Sequence, residues 1–286
     1  MRTALVFGAS GQIGTPLLAR LLAARWRVIA VSRAARVDTA DVSWRRGDLA
    51  QVDALPDSCE VILSCGPLDH FARWYAASSL ACARVIAFGS TSVLVKQASG
   101  EAAERDLAAR LRTGEAGVLA AAQARAAHAT ILRPTLVYGS GADRSLTRIA
   151  AIARRWGRFA LPRDATGLRQ PVHVDDLADA AVAAIDCAAA HGASYALPGG
   201  ETLAYHAMVA RVLATLSPPP ALHALPAPAF RALLSLAHAA GIASDFNAAG
   251  LRRMREDLVF DAAPARQAFG YAPRAFAVSA GMFDRA

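Results

Sequence analysis

The sequence predicts an α/β fold, a doubly wound parallel sheet with helices on both faces and a smaller C-terminal lobe. Three observations predict it. Short apolar runs alternate with longer amphipathic stretches through the first 200 residues or so. Each run ends in small or polar residues, as buried strands do at the carboxyl edge of a parallel sheet. The chain has 286 residues, of which 55 % are hydrophobic and 19 % charged, with a mean hydropathy of +0.29. That is enough apolar material for a large core and too little charge for a disordered chain. Residues 1–198 read as the sheet domain, with 140–170 contributing to a cleft, and 199–286 as the lobe.

The elements follow in order. Thr3–Phe7 is a short apolar strand. Gly8, Gly11 and Gly14 come next, in the spacing G-x-x-G-x-x-G. Thr15–Arg25 is amphipathic and helical, and Arg27–Ser32 is a second buried strand. This βαβ unit carries a physical mechanism. One glycine permits a tight turn, another lets the backbone approach a pyrophosphate, and the last lets helix and strand pack closely. The unpaired N–H groups and dipole at the helix start then attract phosphate. The sequence therefore predicts a dinucleotide site here, against the plainer reading of an ordinary tight turn.

The second strand ends in Ser32-Arg33, with Arg36 close behind. An acidic residue there would bind ribose hydroxyls, whereas arginine suits a 2′-phosphate. NADP(H) is favoured over NAD(H), the alternative being a solvated arginine. Val42–Arg45 is strand-like and leads to Asp48-Leu49. Asp48 either faces an adenine amino group or caps a loop. Glu60–Ser64 runs into Cys65-Gly66-Pro67, Arg84–Phe88 into Gly89–Ser92, and Ala129–Arg133 into Pro134–Gly139. A helix is expected over roughly 98–126. Gly139 onward opens a helical segment ending near Trp156. Val172–Asp176 reads as a strand entering a helix capped by aspartate, which makes His173 structural. Thr202–Leu216 is helical, Ser217-Pro-Pro-Pro220 breaks it, and Pro226–Gly241 is an apolar helix that lines a cleft or meets a partner.

Charge and cysteine content exclude several classes. The net charge is +8, yet Lys96 is the sole lysine and the arginines are dispersed without a basic block. No nucleic-acid partner is expected, and the basic balance suits a cleft for anionic small molecules. Cys59, Cys65, Cys82 and Cys187 form no C-x-x-C pair, so thiols in a reducing compartment are expected. The chain enters a strand at once and shows no apolar run of membrane-spanning length, so a cytoplasmic protein with no membrane partner is expected. No histidine pair sits at metal-binding spacing, and no metal is expected.

Several segments together carry a family resemblance. They are Gly8-Ala-Ser-Gly-Gln-Ile-Gly14, Gly47-Asp-Leu49, Phe88-Gly-Ser-Thr91, Leu132-Arg-Pro-Thr-Leu-Val-Tyr-Gly139 and Pro171-Val-His-Val-Asp-Asp-Leu-Ala-Asp-Ala180. Near the end, Arg255–Asp261 and Phe269–Arg274 add to them. In this order they resemble an extended or atypical short-chain dehydrogenase/reductase of the NAD-dependent epimerase/dehydratase family. The resemblance implies a Rossmann core with a C-terminal substrate lobe and often a homodimer. It implies that Gly8, Ser10, Gly11, Gln12, Ile13 and Gly14 hold a pyrophosphate. Asp48 and Leu49 would hold adenine, Ser64, Cys65 and Gly66 would face the nicotinamide ribose, and Pro134 and Thr135 would lie near the nicotinamide.

One departure matters. The family's proton transfer uses a tyrosine and a lysine four residues apart on one helical face. None of Tyr75, Tyr138, Tyr195, Tyr205 and Tyr271 has lysine four residues later, and Leu107 and Leu111 fall at the expected positions. Two functional readings follow. In the first, the protein is an oxidoreductase or epimerase/dehydratase relative acting on a small organic or nucleotide-linked substrate. Thr91, Tyr138 and Tyr75 are then the candidate catalytic groups, with His70 and Lys96 behind them. In the second, it binds NADP(H) without turning it over, as a sensor or scaffold. Seven arginines, Arg144, Arg148, Arg154, Arg155, Arg158, Arg163 and Arg169, either grip an anionic substrate or simply form a solvated face.

Overall fold

The computed structural model describes residues 2–52, 55–143, 145–239 and 248–283. Arg144, and the end of the helix expected to reach Gly241, lie outside the described residues. The chain divides into two compact units. The first comprises Met1–Thr135, Val172–Pro198 and Asp261–Pro273; the second comprises Leu136–Pro171, Gly199–Phe260 and Arg274–Ala286.

The first unit is built on seven parallel strands. In chain order these are β1 (Thr3–Phe7), β2 (Arg27–Ser32), β3 (Val42–Arg46), β4 (Ser58–Ser64), β5 (Ala81–Phe88), β6 (His128–Pro134) and a last strand at Ala193–Leu197. Across the sheet the order is β3, β2, β1, β4, β5, β6, then the last strand, every neighbouring pair parallel. The order reverses between β1 and β4, and such a switch point opens a crevice at the carboxyl edge. β1 is buried along Ala4–Phe7, and β4 along Val61–Ser64. Strands covered on both faces need continuous apolar runs, which these sequences supply.

Helix α1 (Gly14–Ala23) packs with the helix Val174–Ile185 on one face, and α2 (Leu68–Ala77) with α4 (Ala102–Gln123) on the other; between them α3 (Ser92–Val95) is a single turn. Arg20 of α1 reaches Asp179 at 2.9 Å and Asp175 at 3.2 Å. Phe71 stacks on Tyr75 within α2, centroids 5.8 Å apart, and Phe7 of β1 lies 4.3 Å from the Trp74 ring. The cap of Val174–Ile185 differs from the expectation. His173 Nδ1 accepts the Asp175 N–H at 3.1 Å, so the imidazole does the work assigned to an aspartate.

The second unit gathers a separate core around Leu146, Ile149, Ala153, Leu161, Met208 and Val212. Its elements include the helices Leu146–Trp156, Tyr205–Ala214 and Ala227–Ala239, and a parallel ribbon of Arg158–Pro162 with Ala221–Leu225. Asp143 starts the first of these helices. Its carboxylate accepts the Ser145 and Thr147 N–H groups at 3.0 and 3.1 Å and the Thr147 hydroxyl at 2.5 Å.

Arg84, on β5, ties the sheet to the end of the helix Val174–Ile185. Its buried guanidinium donates to the carbonyls of Ile185 (2.8 Å), Ala184 (2.6 Å) and His128 (2.8 Å) and to the Thr130 hydroxyl at 3.1 Å. The Ala184 and Ile185 carbonyls, in the last turn of that helix, have no helical N–H to receive. Replacing Arg84 by Met should cost about 3 kcal/mol, because several buried acceptors lose their donor at once. Urea unfolding checks this as a lower midpoint with an unchanged slope; an unchanged midpoint would show the guanidinium to be dispensable.

Candidate functional site

The site lies at the carboxyl edge of the first unit's sheet, where β1 and β4 part. The chain leaves β1 at Gly8 with φ +71°, a left-handed backbone that favours glycine. A Cβ on Gly8 would lie 3.2 Å from the Cys65 carbonyl carbon and 3.3 Å from the Gly66 nitrogen, backbone atoms that follow β4. Gly11 N–H donates to Gly8 O at 2.9 Å, and Thr15 N–H to Gly11 O at 3.0 Å, folding residues 8–15 into one compact turn. At Gly14 a Cβ would sit 2.0 Å from Gly8 O and 2.7 Å from Ala9 Cα. Only hydrogen fits, and α1 therefore starts pressed onto the end of β1 with its N-terminus facing the crevice.

Side chains surround this turn. The Ser10 hydroxyl donates to the Ser32 hydroxyl at 3.3 Å, linking the glycine turn to the end of β2, and exposed Arg33 follows directly. Asp48 Oδ1 accepts the N–H groups of Ala50 (2.8 Å) and Gln51 (3.2 Å). These two bonds hold its carboxyl below the usual range, and nearby Arg33 and His70 add to the effect. Asp48 thus shapes its own loop and also faces Arg33. That loop presents Leu49, whose Cδ1 lies 2.9 Å from where a Gly66 Cβ would stand. The turn therefore brings Gly8, Cys65 and Gly66 together, and Leu49 closes over them. Ser64 Oγ and Gln12 Oε1 are buried at this edge with no hydrogen-bond partner among the described residues. Buried polar atoms are seldom left unmatched, and a bound polar ligand is a common reason.

Further along the edge, Thr91 meets Pro134. The Thr91 N–H and hydroxyl both donate to Pro134 O, each at 3.2 Å. Thr135 N–H donates to Leu197 O at 3.3 Å. Lys96 pairs with Glu104 at 3.4 Å, and the Ser99 hydroxyl donates to the same carboxylate at 2.8 Å. His70 is exposed on α2, while Leu107 and Leu111 are half-buried on α4.

Of the other two catalytic candidates, one belongs to the first unit and one to the second. Tyr75 lies beside Cys82, Arg125 and the first residues of β4 and β5, at the amino edge of the sheet. β4 is seven residues long, which separates its two ends by roughly 20 Å. Burial, then Cys82, pushes the Tyr75 hydroxyl up to about 12. Tyr75 thus lies at the opposite end of β4 from the glycine turn. Tyr138 is fully buried in the second unit's core, where its ring meets Phe276 edge-on at 4.9 Å and its hydroxyl accepts the Ala277 N–H at 3.3 Å. It is packed as a structural residue.

Most of the placed arginines of the second unit are also spent on structure. Arg169 is buried and donates to the carbonyls of Leu168 (2.7 Å), Glu256 (2.8 Å) and Arg253. Arg154 reaches Phe283 O at 3.3 Å, Arg163 reaches Ala224 O at 3.3 Å, and Arg155 lies over the Trp156 ring. These contacts favour the plain reading of the cluster. Sequence reasoning missed one pair that supports the edge. Arg133, at the end of β6, grips buried Glu115 of α4 through both carboxylate oxygens, one contact at 2.8 Å. Glu115 Oε1 in turn lies 3.0 Å from where a Gly89 Cβ would be. Leu132-Arg-Pro134 was the available signal, since an arginine entering a buried strand end needs a carboxylate.

A parallel sheet with a glycine turn at its switch point defines a dinucleotide-binding type of α/β fold. Residues 4–94 and 74–197 match the model of the NAD dependent epimerase/dehydratase family, and the chain belongs to that family. No curated protein matches the chain. Solved structures share its fold at low identity. The terminal R domain of the myxalamid PKS-NRPS pathway is 19 % identical, with a TM-score of 0.74, over 99 % of this chain and 88 % of that one. A UDP-glucuronic acid 4-epimerase from Bacillus cereus, in complex with NAD, is 14 % identical, with a TM-score of 0.69, over 96 % and 94 %. An epimerase from Methanothermobacter thermautotrophicus is 14 % identical, with a TM-score of 0.69, over 96 % and 88 %.

Cys65 packs against the turn, and its environment opposes a nucleophilic role. Burial pushes its thiol up to about 12. Its thiolate fraction at pH 8 should be smaller than that of a free cysteine by at least about 100-fold, and alkylation should slow accordingly. Peptide mapping after iodoacetamide treatment should show Cys65 labelling that still climbs above pH 10, where an unperturbed thiol has levelled off. Fast labelling at neutral pH would contradict the placement.

Proposed function

We propose that the glycine turn binds NADP(H) and that the protein is an oxidoreductase or epimerase/dehydratase relative acting on a small organic or nucleotide-linked substrate. The carrying observation is the contact of Gly8 and Gly14 with the backbone around them, which aims the start of α1 at the crevice. In this reading Gly8, Ser10, Gly11, Gln12, Ile13 and Gly14 hold the pyrophosphate through backbone N–H groups and the helix dipole. Asp48 and Leu49 border the adenine. Ser64, Cys65 and Gly66 face the nicotinamide ribose, which would give Ser64 Oγ a partner. Thr91, Pro134 and Thr135 border the nicotinamide. The group, when bound, supplies hydride exchange; the chain supplies orientation and exclusion of water.

Arg33 and the Ser10–Ser32 hydroxyl pair support the phosphorylated coenzyme. Ser32 and Arg33, where β2 ends, supply no carboxylate of their own for ribose hydroxyls, while a guanidinium and two hydroxyls suit a 2′-phosphate. A nucleotide-linked substrate draws on the B. cereus epimerase, which has also been solved in complex with UDP-glucuronic acid and NAD. We place the protein in the cytoplasm, without a nucleic-acid or membrane partner. Among the described residues no helix is long and apolar enough to cross a membrane, and no group of three or more His, Cys, Asp or Glu could hold a metal.

The missing Tyr-x-x-x-Lys pair favours a second reading, a non-catalytic NADP(H)-responsive sensor or scaffold. A panel of carbonyl substrates and nucleotide sugars separates the two: NADPH oxidation or sugar epimerisation supports the enzyme, and tight binding with no turnover supports the sensor. For the coenzyme itself, titration by calorimetry should show NADPH bound more tightly than NADH. Arg33→Ala should weaken NADPH by about 1–3 kcal/mol, the range for a lost hydrogen bond to a charged group, and leave NADH unchanged. Equal losses for both would remove the 2′-phosphate assignment.

A further inference from the structure

The second unit holds an apolar cavity of about 610 Å³ between the helices Leu146–Trp156 and Ala227–Ala239 and the ribbon of Arg158–Pro162 with Ala221–Leu225. Its volume falls within the roughly 300–1,000 Å³ of small-molecule sites. Phe230 and Leu234 of the helix Ala227–Ala239 line it. Trp156, Leu233 and Leu236 also line it, and they are 50 %, 43 % and 70 % exposed. Large apolar side chains left open around one concavity mark a binding site more often than they mark chance.

The polar residues decide what fits. Among the described residues, Arg158 and His223 are the polar ones that line the cavity, and no acidic residue joins them. Arg158 pairs with Ala221 and Ala160 with His223, so strand alternation puts Arg158 and His223 on one face of the ribbon. A sugar or nucleobase would bury hydroxyls and amides against hydrocarbon without partners. A cationic amphiphile would set its charge against Arg158. We propose that this cavity binds one amphiphile with an unbranched hydrocarbon tail and a carboxylate head, a fatty acid or a carboxylate of that form. The tail lies along Phe230 and Leu234, and the head meets Arg158. The site is independent of the dinucleotide reading, since its walls belong wholly to the second unit.

The test uses the full chain and dodecanoate below its micelle concentration, read by tryptophan fluorescence. Trp156 lines the cavity, and Trp156→Phe separates its signal from those of Trp26, Trp44 and Trp74. The expected result is a saturable one-to-one response that Trp156→Phe abolishes while calorimetry still detects binding. Leu236→Glu, at an exposed position, should weaken dodecanoate by about tenfold or more with an unchanged circular dichroism spectrum, and Leu233→Glu serves if that variant fails to fold. Arg158→Glu should weaken dodecanoate by about tenfold or more and leave dodecanol within about twofold. Absence of saturable binding would overturn the proposal. So would indifference to both leucine variants, equal affinity for dodecyltrimethylammonium, or a response to anionic phospholipid vesicles alone.

Discussion

Gly14 has room for a hydrogen and nothing more. With a Cβ the residue would occupy the space of Gly8 O and Ala9 Cα, and α1 would have to retreat from the end of β1. The rest of the edge depends on that contact. It points the opening N–H groups of α1 at the β1–β4 crevice, where the dipole of the helix adds a partial positive charge. It also brings Gly8 against Cys65 and Gly66, so the loops after β1 and β4 form one surface. Leu49 and the Ser10–Ser32 pair are then held around it at fixed distances. A close backbone contact of this kind resists continuous deformation, because packed interiors yield little.

Strands β1, β2, β4, β5 and β6 were legible because buried parallel strands leave uninterrupted apolar runs, whereas β3, VSWRR at the sheet's edge, gave only a strand-like pattern; the glycine turn was legible because its spacing has a mechanical cause. Other elements were not. Ala193–Leu197 completes the sheet with the sequence ASYAL, which carries no β-branched residue and gives little strand signal. The ribbon of Arg158–Pro162 with Ala221–Leu225 depends on a partner about 60 residues away, which no local pattern reports. Helix α2 follows Pro67 without a side-chain cap and was read only as a segment. Helix α4 came out at Ala102–Gln123, inside the expected 98–126.

Side-chain roles were harder to read than elements. Tyr75 and Tyr138 were candidates because tyrosine can carry a proton, yet the sequence does not say which end of the sheet a helical residue faces. Tyr75 faces the amino edge, beside Cys82, and Tyr138 fills a core. Arginines show the same limit. Arg84 and Arg169 spend their guanidinium groups on backbone carbonyls, and Arg133 on Glu115. In a chain with one lysine, arginine does much of the structural bonding, and a cluster of it in sequence need not be a binding surface. His173 is the converse case, read as structural and found capping a helix.

The central claim is that backbone amides of the turn between β1 and α1 receive the paired phosphates of a dinucleotide. Amide chemical shifts of the full chain, followed while ADP-ribose is added, address it without any need for turnover. The account predicts saturable shifts for Gly11, Gln12 and Ile13, with Ser64 and Cys65 moving in step. A saturating ligand that left those amides still while shifting others would contradict it.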